Sequence, residues 1–153
     1  MIVGGPNKYY DYNDQSVEAV FLKIKENFIE KGYQLIFIPS MRTPKRIILK
    51  AQNYFNKEHI IIGNVDKKAY LSSLKLADYI VVTCDSTSMI SEATITGKPK
   101  KNNRFKKFFE LFKSLNIIKD LENSIDMWTY KKLNECDRVS SYIKEQINSY
   151  DFS

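Results

Sequence analysis

Two cysteines, Cys84 and Cys136, and a single histidine, His59, are all that this 153-residue chain offers of the side chains that build disulfide frameworks and zinc centres. Two cysteines are too few for a bridge-stabilised scaffold, and without a cysteine–histidine cluster a zinc site is not expected. No apolar run approaches the roughly 18 residues that a membrane-spanning helix needs. The stretch from Met1 to Gly5 has neither the basic region nor the apolar core of an export signal. The expectation is therefore a cytoplasmic protein with reduced thiols and no membrane span. Internal repeats, low-complexity tracts and a second-domain boundary are missing too.

What is present is enough for a folded domain. Hydrophobic residues make up 43% of the chain, too many for a disordered one. At this length roughly two-thirds of the unfolded surface can be buried. The net charge is +6, and its concentrated part is Lys98, Lys100, Lys101, Arg104, Lys106 and Lys107, a stretch without acids. Phe105 and Phe108 interrupt that run with an apolar face needed for packing. It reads as a solvated surface rather than a nucleic-acid site, with only salt-sensitive attraction to polyanions.

Along the chain, apolar runs alternate with helical periodicity. Ile2-Val3 leads into a turn-rich loop, Gly4-Gly5-Pro6-Asn7-Lys8. Asn13 and Asp14 are N-cap candidates for a helix with Val17, Val20, Phe21, Ile24 and Phe28 on one face, ended by Lys31-Gly32. Gln34 to Ile38 reads as a buried strand stopped by Pro39, and Thr43-Pro44 opens a second helix. His59 to Gly63 is a third strand, and His59 in it reads as structural. Leu71, Leu74 and Ala77 mark a third helix. Tyr79 to Thr83 is a fourth strand, followed by Asp85-Ser86 and a helix through Thr96. No further strand is expected after Gly97-Lys98-Pro99. A helix with Phe105, Phe108, Phe109, Phe112 and Leu115 on one face follows, and Val139, Ile143 and Ile147 mark a last one. Strands alternating with helices imply an α/β fold, a doubly wound and mostly parallel Rossmann-like sheet with a C-terminal helical extension. The expected strand order is third, second, first, fourth.

In such sheets ligands bind beyond the carboxyl ends of the strands, where the strand order reverses. Four polar loops fall there: Gly4 to Lys8, Ser40 to Thr43, Gly63-Asn64 and Asp85 to Ser91. Ser86 and Ser88 stand where a helix begins, a position whose N–H groups suit phosphate. Glu92, one to two turns inside that helix, can accept from a pair of sugar hydroxyls. Arg42 can meet a phosphate or a base edge. Taken singly each has a plainer reading: a Gly-Gly turn, a serine N-cap, a solvated arginine. Their joint placement at one sheet edge raises them above it.

Several segments, in order, resemble the C-terminal half of the elongated-mitochondria family, named for a plant mitochondrial-fission factor. They are Gly4-Gly5-Pro6-Asn7-Lys8, Ser40-Met41-Arg42-Thr43-Pro44, Ala77-Asp78 with Val81 through Ala93, Gly97-Lys98-Pro99, Arg104-Phe105 and Leu133 through Val139. The Asp85-Ser86-Thr87-Ser88-Met89-Ile90-Ser91-Glu92-Ala93 block is the most specific. That family resembles two-domain GT-B glycosyltransferases, whose C-terminal domain holds a nucleotide-sugar donor. The resemblance implies one GT-B-like C-terminal domain over residues 1–153, binding a nucleotide sugar or nucleoside diphosphate without a cofactor. It implies a ligand set of Gly4, Gly5, Asn7, Lys8, Arg42, Thr43, Asn64, Asp85, Ser86, Ser88, Ser91 and Glu92. The diphosphate would lie near Gly5, Ser86 and Ser88, the ribose near Glu92, and the base between Arg42 and Asn64. The family's N-terminal half has no counterpart here, so the chain is expected to be inactive alone, with a separate chain supplying that half. A non-enzymatic interaction factor of the fission type, or a truncated remnant, are the alternatives.

Overall fold

The computed structural model describes residues 1–6, 13–83, 100–101, 106–121, 126–131 and 134–149. Three strands form a parallel sheet: β1 (Ile2–Val3), β2 (Ile36–Pro39) and β3 (Ile60–Ile61), with β2 in the middle. A second parallel pair joins β4 (Ile80–Val81) to β5 (Lys100–Lys101). The pairs meet at a parallel bridge between Ile2 and Val82, where the Thr83 N–H donates to the Ile2 carbonyl at 3.0 Å. The order across the described residues is thus β3-β2-β1-β4-β5, and the expected third-second-first-fourth arrangement holds.

β5 corrects the expectation that nothing follows Pro99. Lys100 and Lys101 align with Ile80 and Val81. A parallel partner needs only backbone donors and acceptors in register, and lysine is a residue type that edges tolerate well. The apolar signature by which strands are recognised is therefore not required there. Pro39 also belongs to β2 rather than stopping it. Along β2, Ile38 and Ser40 donate to the carbonyls of Met1 and Val3, each at 2.9 Å. By alternation the Pro39 nitrogen faces the β3 side, beyond Ile61, where no ladder bond is required of it.

Residues along the strands alternate between two cores. Val3, Phe37 and Val81 pack with Val17, Phe21 and Ile24 of α1 (Asp14–Asn27) and with Ile47, Ile48 and Ala51 of α2 (Lys45–Tyr54). Ile2, Ile38, Ile80 and Val82 pack with Leu74 of α3 (Lys67–Leu76), Phe112 of α4 (Lys106–Ser114), Ile117 and Ile118. The sheet is therefore covered on both faces, in a Rossmann-like arrangement. Phe21 anchors the first core, with Phe37 edge-on at 6.2 Å and Phe55 at 5.0 Å.

Local chemistry sets the helix ends. Asn13 caps α1 by accepting from Ser16 N–H at 2.8 Å, and Asp66 caps α3 from Lys68 and Ala69 N–H. A 3₁₀ turn at Ile29–Lys31 ends on Gly32, whose φ of 86° needs glycine. After α4, Asn116 takes the left-handed conformation (φ 54°) while Ile117 N–H reaches back to Phe112 O, so the helix stop delivers Ile117 to the second core. His59 is structural, as expected: its Nδ1 accepts from Leu35 N–H at 3.4 Å and its ring meets Phe55. The last helix, α5 (Glu135–Ser149), leaves Val139, Tyr142, Ile143 and Ile147 exposed. Among the described residues no helix is long and apolar enough to cross a membrane.

The Met1 amine donates to the Ile36 carbonyl at 2.7 Å, and desolvation lowers its pKa from 8.0 to about 5. Between those values the unfolded chain binds a proton that the folded chain does not, so acid favours unfolding. Stability is expected to fall as pH is lowered from 8 to 5, by at most about 1.4 kcal/mol per unit, and to level off below. Urea unfolding at a series of pH values checks this, and a flat profile across that window contradicts it.

Candidate functional site

The strand order reverses between β1 and β4: α1 carries the chain from β1 toward β2, while β4 lies on the other side. A crevice at the carboxyl ends of these two strands is where an open parallel sheet binds ligands. Its base is tightly built. The Gly4 N–H donates to the Thr83 hydroxyl at 2.7 Å, which joins the ends of β1 and β4. On the other side the Thr43 hydroxyl reaches the carbonyls of Val3 and Gly4 at 2.7 and 2.9 Å. It also accepts from Ser40 N–H at 2.8 Å and lies 3.2 Å from the Ser40 hydroxyl. Arg42 N–H closes this turn by donating to Ser40 Oγ at 3.2 Å.

Gly5 is fixed by a different constraint. A Cβ built on it would stand 1.8 Å from the Arg42 carbonyl oxygen and 2.3 Å from its carbonyl carbon. Both are backbone atoms that no side-chain rotation can move aside. Only glycine lets the loop after β1 lie against the turn after β2. Gly63 differs: the nearest atom to its Cβ position is the Gln52 side-chain nitrogen at 3.8 Å, an ordinary contact.

Of the expected ligand residues, Gly4, Gly5, Arg42 and Thr43 come together at this base. Gly4 and Gly5 are buried and Arg42 is exposed. Thr43 is 8% exposed, with its hydroxyl engaged by the loop itself, so its visible work is to hold Val3 and Gly4 in place. Asn64 is exposed in the loop after β3, two strands away from β1. Asn7, Lys8, Asp85, Ser86, Ser88, Ser91 and Glu92 lie outside the described residues. The segments that bear them leave the sheet at Pro6 and Thr83, next to the Gly4–Thr83 hydrogen bond. Thr83 is the residue that the sequence reading passed over. Its signal was a hydroxyl at the last position of an apolar strand, immediately before the polar block that opens at Asp85.

The helices that flank this edge are tied by charge. Asp14, at the first turn of α1, pairs with Arg46 and with Lys50 of α2, and Lys50 also reaches Glu18 at 2.6 Å. Glu18 and Asp14 hold the Lys50 ammonium above its usual pKa. These pairs are solvent-exposed, so they orient the helices more than they stabilise them.

The sequence profile of the family described as mitochondrial fission ELM1 matches residues 1–147. The chain belongs to that family. It is 28% identical over 159 aligned positions to the uncharacterised protein RP120 of Rickettsia prowazekii (strain Madrid E), covering 94% of this chain and 45% of that protein. It is 31% identical over 127 positions to the mitochondrial fission protein ELM1 of Arabidopsis thaliana, covering 74% of this chain and 30% of that protein. The chain therefore spans less than half the length of either curated relative. No solved structure matches it.

Substitution separates the two glycines. Gly5→Ala is expected to lower stability by at least the ~1–3 kcal/mol typical of overpacking. Gly63→Ala should stay within about 0.5 kcal/mol, the usual range for exposed positions. Thr43→Val, which strips the buried hydroxyl from three backbone partners, is expected to cost about 1–3 kcal/mol. Denaturant melts of the three variants beside the parent check the ranking, and equal stabilities for the two alanine variants contradict it.

Proposed function

We propose that this chain is a nucleotide-sugar-binding domain of GT-B type, doubly wound, acting in the cytoplasm as part of a glycosyltransferase-like protein. The observation that carries the reading is the fixed base at the point of strand reversal. There Gly5 packs on the Arg42 backbone and Gly4 is bonded to Thr83. A close-packed, glycine-lined loop beside a strand end is the arrangement that brings backbone up to a diphosphate. The sequence supplies the rest: Ser86 and Ser88 at a helix start for the phosphates, and Glu92 one to two turns on for the ribose hydroxyls. Arg42 reaches the base from the neighbouring turn. Catalysis needs an acceptor site, and we assign it to polypeptide corresponding to the part of the relatives that this chain does not span, on the same or a separate chain.

The name of the Arabidopsis relative favours a second reading, a fission-type interaction factor. The exposed stripe of Val139, Tyr142, Ile143 and Ile147 on α5 gives such a factor a surface. Ligand binding separates the two readings. Calorimetric titration should show weak binding of a nucleoside diphosphate by the parent chain. Glu92→Ala should weaken the nucleotide about tenfold or more while leaving pyrophosphate nearly unchanged, because a bond to a charged group is worth roughly 1.5–3 kcal/mol. Equal losses for both ligands remove Glu92 from the site. Absence of binding by the parent at millimolar nucleotide favours the interaction factor.

A further inference from the structure

The pairing of β1 with β4 ends irregularly. Ile2 bridges to Val82, and the Thr83 N–H donates to the Ile2 carbonyl at 3.0 Å. Bonds in a parallel pair are evenly spaced, so the next one in this register would carry the Gly4 N–H to the Thr83 carbonyl. In the structure that N–H meets the Thr83 hydroxyl at 2.7 Å. The carbonyls of a strand lie close to the plane of the sheet, whereas its side chains stand roughly perpendicular to it. Exchange of one oxygen for the other therefore turns the Gly4 amide out of that plane.

Alternation gives the direction of the turn. Val81 belongs to the first core and Val82 to the second, so Thr83 projects to the side of α1 and α2. From the turn before α2, the Thr43 hydroxyl donates to the Gly4 carbonyl at 2.9 Å. Both backbone polar groups of Gly4 are thus held by threonine hydroxyls, one from each neighbouring segment. Gly4 is buried and Thr83 half-buried. Gly5 then lies on the Arg42 backbone with no room for a Cβ. The loop after β1 is directed toward α1 and α2 from its first residue.

We propose that Thr83 is a positioning residue of the candidate ligand site, whose hydroxyl sets the course of the Gly4-Gly5 backbone that a diphosphate meets. The inference rests on the nucleotide-sugar reading of that site and adds the residue that aims its loop. Thr83 acts through Gly4 and does not itself touch the ligand. Valine has nearly the shape of threonine and no acceptor. With valine there, the Gly4 N–H either stays buried without a partner or swings back to the carbonyl at position 83 and resumes the ladder. The first course leaves a desolvated donor unsatisfied, which is costly, and both courses move the loop. Serine keeps an acceptor at the same reach.

Calorimetric titration of the full chain with pyrophosphate and with a nucleoside diphosphate tests this in the parent, Thr83→Val and Thr83→Ser. Both ligands should bind the valine variant about tenfold more weakly, the contribution of one hydrogen bond. The serine variant should bind both as the parent does. Loss on both ligands distinguishes Thr83 from Glu92, whose removal is expected to weaken the nucleotide alone. Exchange of the Gly4 amide with solvent should quicken in the valine variant and not in the serine variant. Should the valine variant fail to fold, Thr83→Ala carries the same expectation. A valine variant that is less stable yet binds both ligands as the parent does overturns the proposal and leaves the ligand reading standing. So does a serine variant as weak in binding as the valine one. A parent that binds neither ligand removes the ligand reading, and this assignment with it.

Discussion

β1 is hydrogen-bonded on both sides, and nearly every other feature of the described structure leans on that. Its Met1 and Val3 carbonyls accept from Ile38 and Ser40 of the β2 side, and its Ile2 carbonyl accepts from Thr83 of the β4 side. Ile2 and Val3 are each buried, one in each core. A strand of two residues supplies little burial by itself, so its position depends on what clamps its ends. Thr43, Thr83 and the close approach of Gly5 to Arg42 clamp the carboxyl end. Loss of any of these weakens the hold on the strand that joins the two halves of the sheet.

The two ends of β1 then divide the chemistry. At the carboxyl end the neighbouring segments converge, polar groups satisfy one another, and there is no room for a Cβ. At the amino end a largely apolar cavity opens beside the desolvated Met1 amine. Each curated relative is over twice as long as the part of it that is matched.

Much of the fold was legible because burial writes a periodicity into the sequence. Val17, Phe21 and Ile24 recur at helical spacing and are all buried on one face of α1. Ile36, Phe37 and Ile38 form an uninterrupted apolar run because both faces of β2 are covered. β5 was missed because two lysines carry no such record. The helix at α5 was legible from Val139, Ile143 and Ile147, but spacing alone cannot say that this face is exposed. The site was legible only in outline. That Gly5 has no room for a Cβ follows from the Arg42 backbone, distant in sequence, and periodicity does not report such contacts. The buried partners of Thr43, Val3 and Gly4, are non-local in the same way.

The proposed ligand site is the carboxyl end of β1, beside β4. Amide chemical-shift mapping during addition of a nucleoside diphosphate tests it residue by residue. The largest shifts are expected on Gly4, Gly5 and Thr83 and on the segment that begins at Asp85. Leu35, Asp78 and Tyr79 at the opposite end should stay still. Shifts confined to the amino-end groove, or spread evenly over the lysine-bearing surface, would contradict it.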